Sequence, residues 1–398
     1  MNHKLSSSAP GSSPVTASDW VAFFRPAVRD LREELLAHIA LLGETAAPSG
    51  READRVQLWL ERLNPDPGFQ CHIDSFGNGV ALLPGEEEAA PLLLLTHADG
   101  VIPEDDHPEI TVRPEAIVGP FMGDNSPVLA AFAALPRLME RTGWRPRRPI
   151  LLLAAVRMLG RADYEGLIRH LEAGAPPSAV VVESVELGRL NYTALGVRRC
   201  EVAVDLPESY DWMRFGATGA ILPLNDIIQS IGQIPLPRRP LTAVVLGTIR
   251  GGVNDRQIAH EARLGFEVRS ESADRLKEIE TAVGDICAAV AGRHGVRVRF
   301  DVYARREPGD QDIGHPVVRA ARGVLSALQL EPLLYPSTGM LSILLSRRIP
   351  AVTIGLARSH REPELEEIEE ALDLESYLTG VTQLAALAAI LSAEATHG

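Results

Sequence analysis

Cysteine is scarce and scattered. Cys71, Cys200 and Cys287 are the whole complement of a 398-residue chain, so neither a disulfide framework nor a zinc site with paired-cysteine spacing is available. An odd, unpatterned count suits a reducing compartment, and a cytoplasmic location is expected. No apolar run reaches the roughly 18–20 residues of a membrane span. The first stretch, MNHKLSSSAPGSSPVTAS, is rich in Ser and Pro and lacks the apolar core of a secretory signal. It reads as a disordered tail over residues 1–17. Basic charge is in deficit too: 39 Lys and Arg against 53 Asp and Glu leave a net charge of −14. That balance argues against nucleic acid or an anionic membrane as partner.

What remains is ordinary globular material, 45% apolar and 23% charged, enough for more than one domain. DWVAFFRPAVRDLREELLAHIALLG and READRVQLWLERL carry apolar residues at helical spacing. FQCHIDSFGNGVALLPG alternates around a Gly-Asn-Gly turn and reads as a hairpin. The strands PLLLLTH, PILLLAAV and SAVVVE then alternate with the helices SPVLAAFAALPRLMERTG and RADYEGLIRHLEAG, which predicts a mainly parallel sheet covered on both faces. From about residue 194 the order becomes β-α-β-β-α-β, that of a ferredoxin-like α+β unit. After residue 306 the first style returns, ending in the helix DLESYLTGVTQLAALAAILSAEA. The expected architecture is an α/β domain (residues 18–193 and 307–398) interrupted by an α+β lid domain (194–306). GWRPRRP is expected to be an exposed loop, and the acidic run EPELEEIEEALD a solvated helix start.

Binding sites in open α/β sheets gather at the C-terminal ends of the strands. Four such places carry polar residues: His97 and Asp99 in THADG, Asp124 in GDNSP, Glu183 in VVVES, and His360 after PAVTIGLA. Imidazoles and carboxylates without a thiolate suit zinc, cobalt or manganese, and Asp99 is placed to hold the second nitrogen of His97. Each has a plainer alternative. A lone His-x-Asp after a strand is often structural, Asp124 could cap a helix, and Glu183 could be solvated.

Taken in order, the motifs resemble those of the two-zinc peptidases and deacylases: aminoacylases, acetylornithine deacetylase, succinyl-diaminopimelate desuccinylase and glutamate carboxypeptidases. DSFGNGVALLPG resembles the family's D-x-x-G-N hairpin, THADGVIP its H-x-D-x-V-P strand end, and GDNSPVLAAFAAL its G-x-x-D-[DNK] segment. STGMLSILLSRRIPAVTIG and SHREPE resemble its closing segments; WMRFG, GTIRGGVN and FEVRS resemble its lid. The resemblance implies a zinc-exopeptidase-like fold. It implies His97, Asp124 and Glu183 as ligands of one metal, Asp124 and His360 as ligands of a second, and Asp99 as the support of His97. Asn254 and Arg269 would face substrate, a small molecule or peptide, and the lid would pair two subunits into a homodimer, with TGAILPLNDIIQSI and the strand after it at the interface.

The sequence departs from that pattern where chemistry is concentrated. The family has two adjacent glutamates before the segment matching GRADYEG, one a general base and one a metal ligand. Here the aligned positions are Met158-Leu159 or Arg157-Met158, and no Asp or Glu occurs between Leu151 and Ala162. The lid histidine that stabilises the oxyanion is replaced by Tyr210 or Asp211, and the aspartate of the S-T-D segment by Gly339. A general base contributes about 10²–10⁴ in rate and an oxyanion donor about 10²–10³, so losing both removes roughly 5–9 kcal/mol of transition-state stabilisation. Three functional readings remain open. The first is a pseudoenzyme that keeps the fold and binds one metal rather than two. The second is an active amidohydrolase or peptidase on N-acyl amino acids or small peptides, with a base recruited from Asp163, Glu165 or Glu362. The third is an enzyme of another class in which Tyr210 or Arg157 holds an anionic group.

Overall fold

The computed structural model describes residues 15–63, 69–102, 108–207, 213, 219–360 and 369–394. The chain divides into two compact units, residues 1–192 with 311–398 and residues 193–310.

The first unit opens with α1 (Ala17–Asp30), α2 (Arg32–Gly43) and α3 (Ala53–Arg62). Thr16 and Asp19 cap α1 reciprocally, each side chain taking the other's backbone N–H. The hairpin β1 (Gln70–Ile73) and β2 (Gly79–Leu83) follows, then β3 (Leu92–His97), β4 (Thr111–Val112), β5 (Ala116–Pro120) and α4 (Ser126–Thr142). β6 (Ile150–Ala155), α5 (Glu165–Ala173), β7 (Ala179–Val185) and β8 (Leu190–Asn191) complete this half. The second unit comprises β9 (Thr193–Ala194), β10 (Gly196–Asp205), α6 (Ile221–Gly232), β11 (Thr242–Gly251), β12 (Glu261–Ser270), α7 (Ala273–His294), β13 (Arg297–Arg306) and β14 (Gly309–Asp310). The first unit resumes with α8 (Pro316–Ala327), α9 (Leu341–Ser346), β15 (Ala351–Ala357), β16 (Ser359–His360), β17 (Glu369–Asp373) and α10 (Leu374–Ala393).

Its main sheet has the order β1-β2-β6-β3-β7-β15-β8. The four central strands are parallel, and the flanking ones antiparallel. The expected mixed, mainly parallel α/β fold is therefore present. Leu92, Leu93, Leu94 and Leu95 are all fully buried, because a central parallel strand has apolar layers on both faces. α10 is the one described helix long and apolar enough to cross a membrane, and most of it is buried within this unit. The Gly-Asn-Gly turn is local chemistry: Asp74 Oδ1 accepts from Phe76 N (2.9 Å) and Asn78 N (3.0 Å), and Gly77 takes a positive φ of 94°. Asn78, fully buried, also accepts from Val156 N (3.0 Å) and donates to Gly166 O (3.1 Å), tying the hairpin to the loop after β6.

The second unit has an antiparallel sheet of order β11-β12-β10-β13, and α6 and α7 bury Val202, Leu264, Phe266, Ile227 and Val283 against it. This is the expected ferredoxin-like α+β arrangement. Along β11, Val245, Leu246 and Ile249 are exposed.

Three local expectations need correction. The acidic run does not begin a helix where it is described: Glu369–Asp373 is β17, paired antiparallel with β5 and β16, and Ala371 and Leu372 are fully buried. Cross-strand pairing outweighs the helix preference of glutamate there, and the helix starts only after Asp373, which caps it through Ser376 N (2.6 Å). GWRPRRP is not a solvated loop throughout. Trp144 is buried edge-on against Phe24, and Arg148 is buried with its Nη2 donating to Ser178 Oγ (2.8 Å). The helix expected from Arg161 starts at Glu165, after a short 3₁₀ turn and left-handed residues at Asp163 and Tyr164. Residues 1–14 of the expected tail lie outside the described residues.

Candidate functional site

β3 delivers His97 to its C-terminal end, and the chain turns at once so that Asp99 folds back beneath the imidazole. His97 Nδ1 lies 2.9 Å from the Asp99 carbonyl oxygen and 3.2 Å from Asp99 Oδ1. Asp99 is fully buried, and its other oxygen accepts from the backbone N–H groups of Met158 (2.8 Å) and Leu159 (2.9 Å). Burial works to raise the Asp99 pKa, but the imidazole and these two amides outweigh it and hold the carboxyl below its usual range.

Asp124 sits in the turn between β5 and α4, where Asp124 N donates to Phe121 O (2.9 Å) and Phe121 has a positive φ of 52°. Its Oδ1 is 3.3 Å from His97 Nε2. The next residue, Asn125, has its oxygen bound by Arg55 Nη2 (2.6 Å), so its NH₂ must face the other way, where it donates to the Asp99 carbonyl (2.5 Å). The same NH₂ nitrogen is 2.9 Å from His97 Nδ1. Two donors converging on one carbonyl account for that approach. The network therefore assigns the Nδ1 hydrogen toward Asp99 and leaves Nε2 facing the Asp124 carboxylate. Burial works to lower the His97 pKa, yet the charges and hydrogen bonds of Asp124 and Asp99 carry it well above its ordinary value. A lone pair facing a carboxylate calls for a cation between them, either a proton or a metal ion.

Two ligands of a tetrahedral ion, each about 2.0–2.1 Å from it, stand about 3.3–3.4 Å apart. The 3.3 Å between His97 Nε2 and Asp124 Oδ1 matches that spacing. Glu183, near the end of β7, is electrostatically coupled to both. Burial raises its pKa, with Asp124 adding to the effect and His97 and Arg189 opposing it. Even so, among the described residues no three His, Cys, Asp or Glu side chains are grouped to hold a metal ion. His360 is exposed on β16, in register with Ala371, and is not gathered into such a group. Among the described residues, the His97–Asp124 pair has the spacing that one ion would bridge.

No protein-family model and no curated protein matches the chain. Solved structures do. The dipeptidase Dug1p of Saccharomyces cerevisiae superposes with a TM-score of 0.75 at 12% identity, covering 94% of this chain and 99% of its own. Human carnosine dipeptidase 1 gives 0.74 at 13%, with coverage of 94% and 99%. YxeP of Bacillus subtilis, a dinuclear metal binding peptidase from the M20 family, gives 0.61 at 14%, with coverage of 91% and 99%. The chain has the M20 peptidase fold. At these identities the likeness is one of fold.

The loop after β6 gathers three left-handed residues. Arg157, Asp163 and Tyr164 all have positive φ (54°, 43° and 67°), a conformation that costs non-glycine residues about 1–3 kcal/mol each and often marks functional sites. Arg157 points its guanidinium at Glu165 (3.1 Å), and its N–H goes to Glu52 Oε1 (2.7 Å). Met158 is buried, and Asp163 is buried while Glu165 is partly exposed. A β-carbon on Gly339 would lie 3.7 Å from Glu183 Oε1 and 4.0 Å from the Tyr164 hydroxyl, so that hydroxyl and carboxylate flank the place where the resemblance implies an aspartate.

The remaining described candidates belong to the second unit. Asn254 is exposed in a turn, its oxygen accepting from Arg256 N (2.9 Å) and its NH₂ donating to Gln257 Oε1 (3.3 Å). Arg269 donates to Glu267 Oε1 (2.6 Å) along β12. Tyr210, Asp211 and Glu362 lie outside the described residues.

Three residues escaped the sequence reading. Arg55 is a cation on the apolar stripe of α3, among Val56, Trp59 and Leu60, and that misplaced charge was the available signal. Burial lowers its guanidinium to about 10, against the opposing charges of Asp124 and Asp99. Asn125 looked like one more residue at a helix start. Glu370 was hidden in the acidic run; its Oε2 accepts from Gly123 N at 2.7 Å.

Proposed function

We propose that this chain is a hydrolytically impaired M20-fold protein. In this reading it binds a small molecule or peptide, holds one zinc-like ion rather than two, and turns over amides very slowly or not at all. The observation that carries the reading is the loop after β6. No carboxylate occurs between Leu151 and Ala162, Met158 is buried, and Arg157 is turned onto Glu165. No side chain at these positions can accept a proton from a water molecule. His97 and Asp124 would hold the ion, with Glu183 the further ligand that the resemblance implies. When bound, it would polarise a carbonyl or lower the pKa of bound water. The chain's own contribution is to orient His97 through Asp99.

Elemental analysis of the purified protein, with a screen of N-acyl amino acids and dipeptides, tests this. One ion or none without turnover supports the reading, and two tight ions with turnover sink it. Installing the glutamate pair (Met158→Glu with Leu159→Glu, or Arg157→Glu with Met158→Glu) and regaining amidase activity would show that the cleft is otherwise intact.

A second reading, an active amidohydrolase or peptidase, is favoured by Asp163: a buried carboxylate in a left-handed conformation beside Tyr164. Turnover abolished by Asp163→Asn would establish it. We also propose a homodimer formed through the second unit, supported by exposed Val245, Leu246 and Ile249 on β11, the edge strand. Light scattering that returns a monomer mass would refute that. The three free cysteines fit a reducing, cytoplasmic setting.

A further inference from the structure

We propose that Tyr164 is a ligand-contacting residue of the cleft: its hydroxyl donates to the neutral carbonyl oxygen of an amide seated over Gly339, between Ser337 and Glu183. The role rests on the reading of the cleft above, as one that binds a small molecule or peptide and leaves it intact.

Gly339 is partly exposed. It has no positive φ, so its backbone does not call for glycine. A β-carbon would also fit. It would lie 3.5 Å from Ser337 Oγ, 3.7 Å from Glu183 Oε1 and 4.0 Å from Tyr164 Oη, all ordinary contacts. Neither conformation nor packing therefore demands the glycine. What it supplies is room for one small group, ringed by three polar side-chain atoms. The main chain below that room is fixed. Gly339 N donates to Ser337 Oγ (3.0 Å), and Gly339 O accepts from Ser342 Oγ (2.8 Å) and Ser342 N (3.1 Å). Ser337 is 3% exposed and Ser342 is fully buried, so the floor is held in place before any ligand arrives.

Tyr164 reaches this place at a conformational cost. Asp163 and Tyr164 are consecutive left-handed residues, with φ of 43° and 67°, and a bulky side chain is an outlier in that region. Tyr164 N donates to Met158 O (3.3 Å), and Tyr164 O accepts from Ile168 N (2.9 Å). The loop and the first turn of α5 thus hold the strained residue between them. Strain of this kind gathers at ligand clamps, and here it brings a phenol to the edge of the space above Gly339.

The chemistry around that point selects the ligand group. A phenol donates to a carbonyl oxygen. An anionic group in the same place would be repelled by the Glu183 carboxylate when it is ionised, whereas a neutral carbonyl would not. No acid occurs between Leu151 and Ala162 to activate water against that carbonyl, so the amide is held and not cleaved.

The test uses the full chain, with N-acetyl-L-alanine methylamide and its N-thioacetyl analogue as probes, because sulfur accepts a hydrogen bond more weakly than oxygen. In calorimetric titration, wild type should bind the amide about tenfold more tightly than the thioamide, the worth of one good hydrogen bond. Tyr164→Phe should melt like wild type, lose about tenfold in amide affinity and no longer distinguish the two probes. Gly339→Ala should also melt like wild type, since its methyl group meets only ordinary contacts, but should bind both probes more weakly because the methyl group takes the carbonyl's place. Tyr164→Phe that keeps the amide preference, or folded Gly339→Ala that binds like wild type, overturns the proposal. A wild type that binds neither probe also overturns it, and leaves the impaired-hydrolase reading to its own metal and turnover measurements. A wild type that hydrolyses the amide refutes that reading instead. The role of Tyr164 is then read from KM, which Tyr164→Phe should raise about tenfold, and an unchanged KM overturns the proposal.

Discussion

Glu370 Oε2 accepts the backbone N–H of Gly123 at 2.7 Å, joining β17 to the turn that carries Asp124. A residue from late in the chain thus fixes the backbone beside a site built mostly from its first half. A β-carbon on Gly123 would overlap Glu370 Oε2 and come within 3.0 Å of Val185 Cγ1 and 3.1 Å of Ser359 Oγ. Gly123→Ala should therefore cost about 1–3 kcal/mol, the usual range for overpacking, and loosen the Asp124 turn. Urea unfolding of the variant measures it, and an unchanged midpoint would mean that the turn relaxes freely.

Asp99→Asn should remove charge-assisted hydrogen bonds from a buried network. Its NH₂ must face either the His97 Nδ1 hydrogen or the amides of Met158 and Leu159. The expected loss is about 1.5–3 kcal/mol. Amide hydrogen exchange should accelerate at Met158 and Leu159 in particular. Uniform exchange rates across the loop would show that Asp99 does not hold it.

The two ways of restoring a glutamate should differ in stability. Arg157 is exposed, so Arg157→Glu exchanges a surface ion pair with Glu165 for a solvent-screened like-charge contact, a change of about 1 kcal/mol. Met158 is 1% exposed, and Met158→Glu buries a carboxyl group at a cost on the order of 3 kcal/mol. Thermal melts of the two single variants, compared at neutral pH, check the ranking.

The second unit should lose stability in acid through Glu267. That carboxylate accepts from Arg199 Nε (2.7 Å) and Arg269 Nε (2.6 Å). Burial works to raise its pKa, but the two guanidiniums outweigh it, so the folded value lies below the unfolded one. The stabilisation is complete above the unfolded pKa of about 4.3 and disappears as pH falls through the lower folded value. Glu267→Gln should be less stable than wild type at neutral pH and converge with it in acid. Parallel curves down to about pH 2 would refute the assignment.

The sheet was legible in the sequence because the short apolar run Leu92–Leu95 alternates with helical segments, as buried parallel strands do, and the residues at its end announce a site. Met158 was legible as an absence of charge. Arg55 and Asn125 were not, since their roles depend on α3 and α4 coming together in space, and sequence spacing carries no record of that. Glu370 was obscured because an acidic run resembles a solvated helix until Ala371 and Leu372 are seen to pack beneath it. Trp144 was misplaced for a related reason: its loop is polar in sequence, and the ring finds Phe24 only after folding.

Asp99 grips its neighbouring loop by the main chain, and every amino acid except proline offers the same N–H. The loop after β6 can thus keep its shape whatever side chains it displays. Substitutions at exposed positions of that loop, such as Arg157, thus leave the main-chain grip of Asp99 in place.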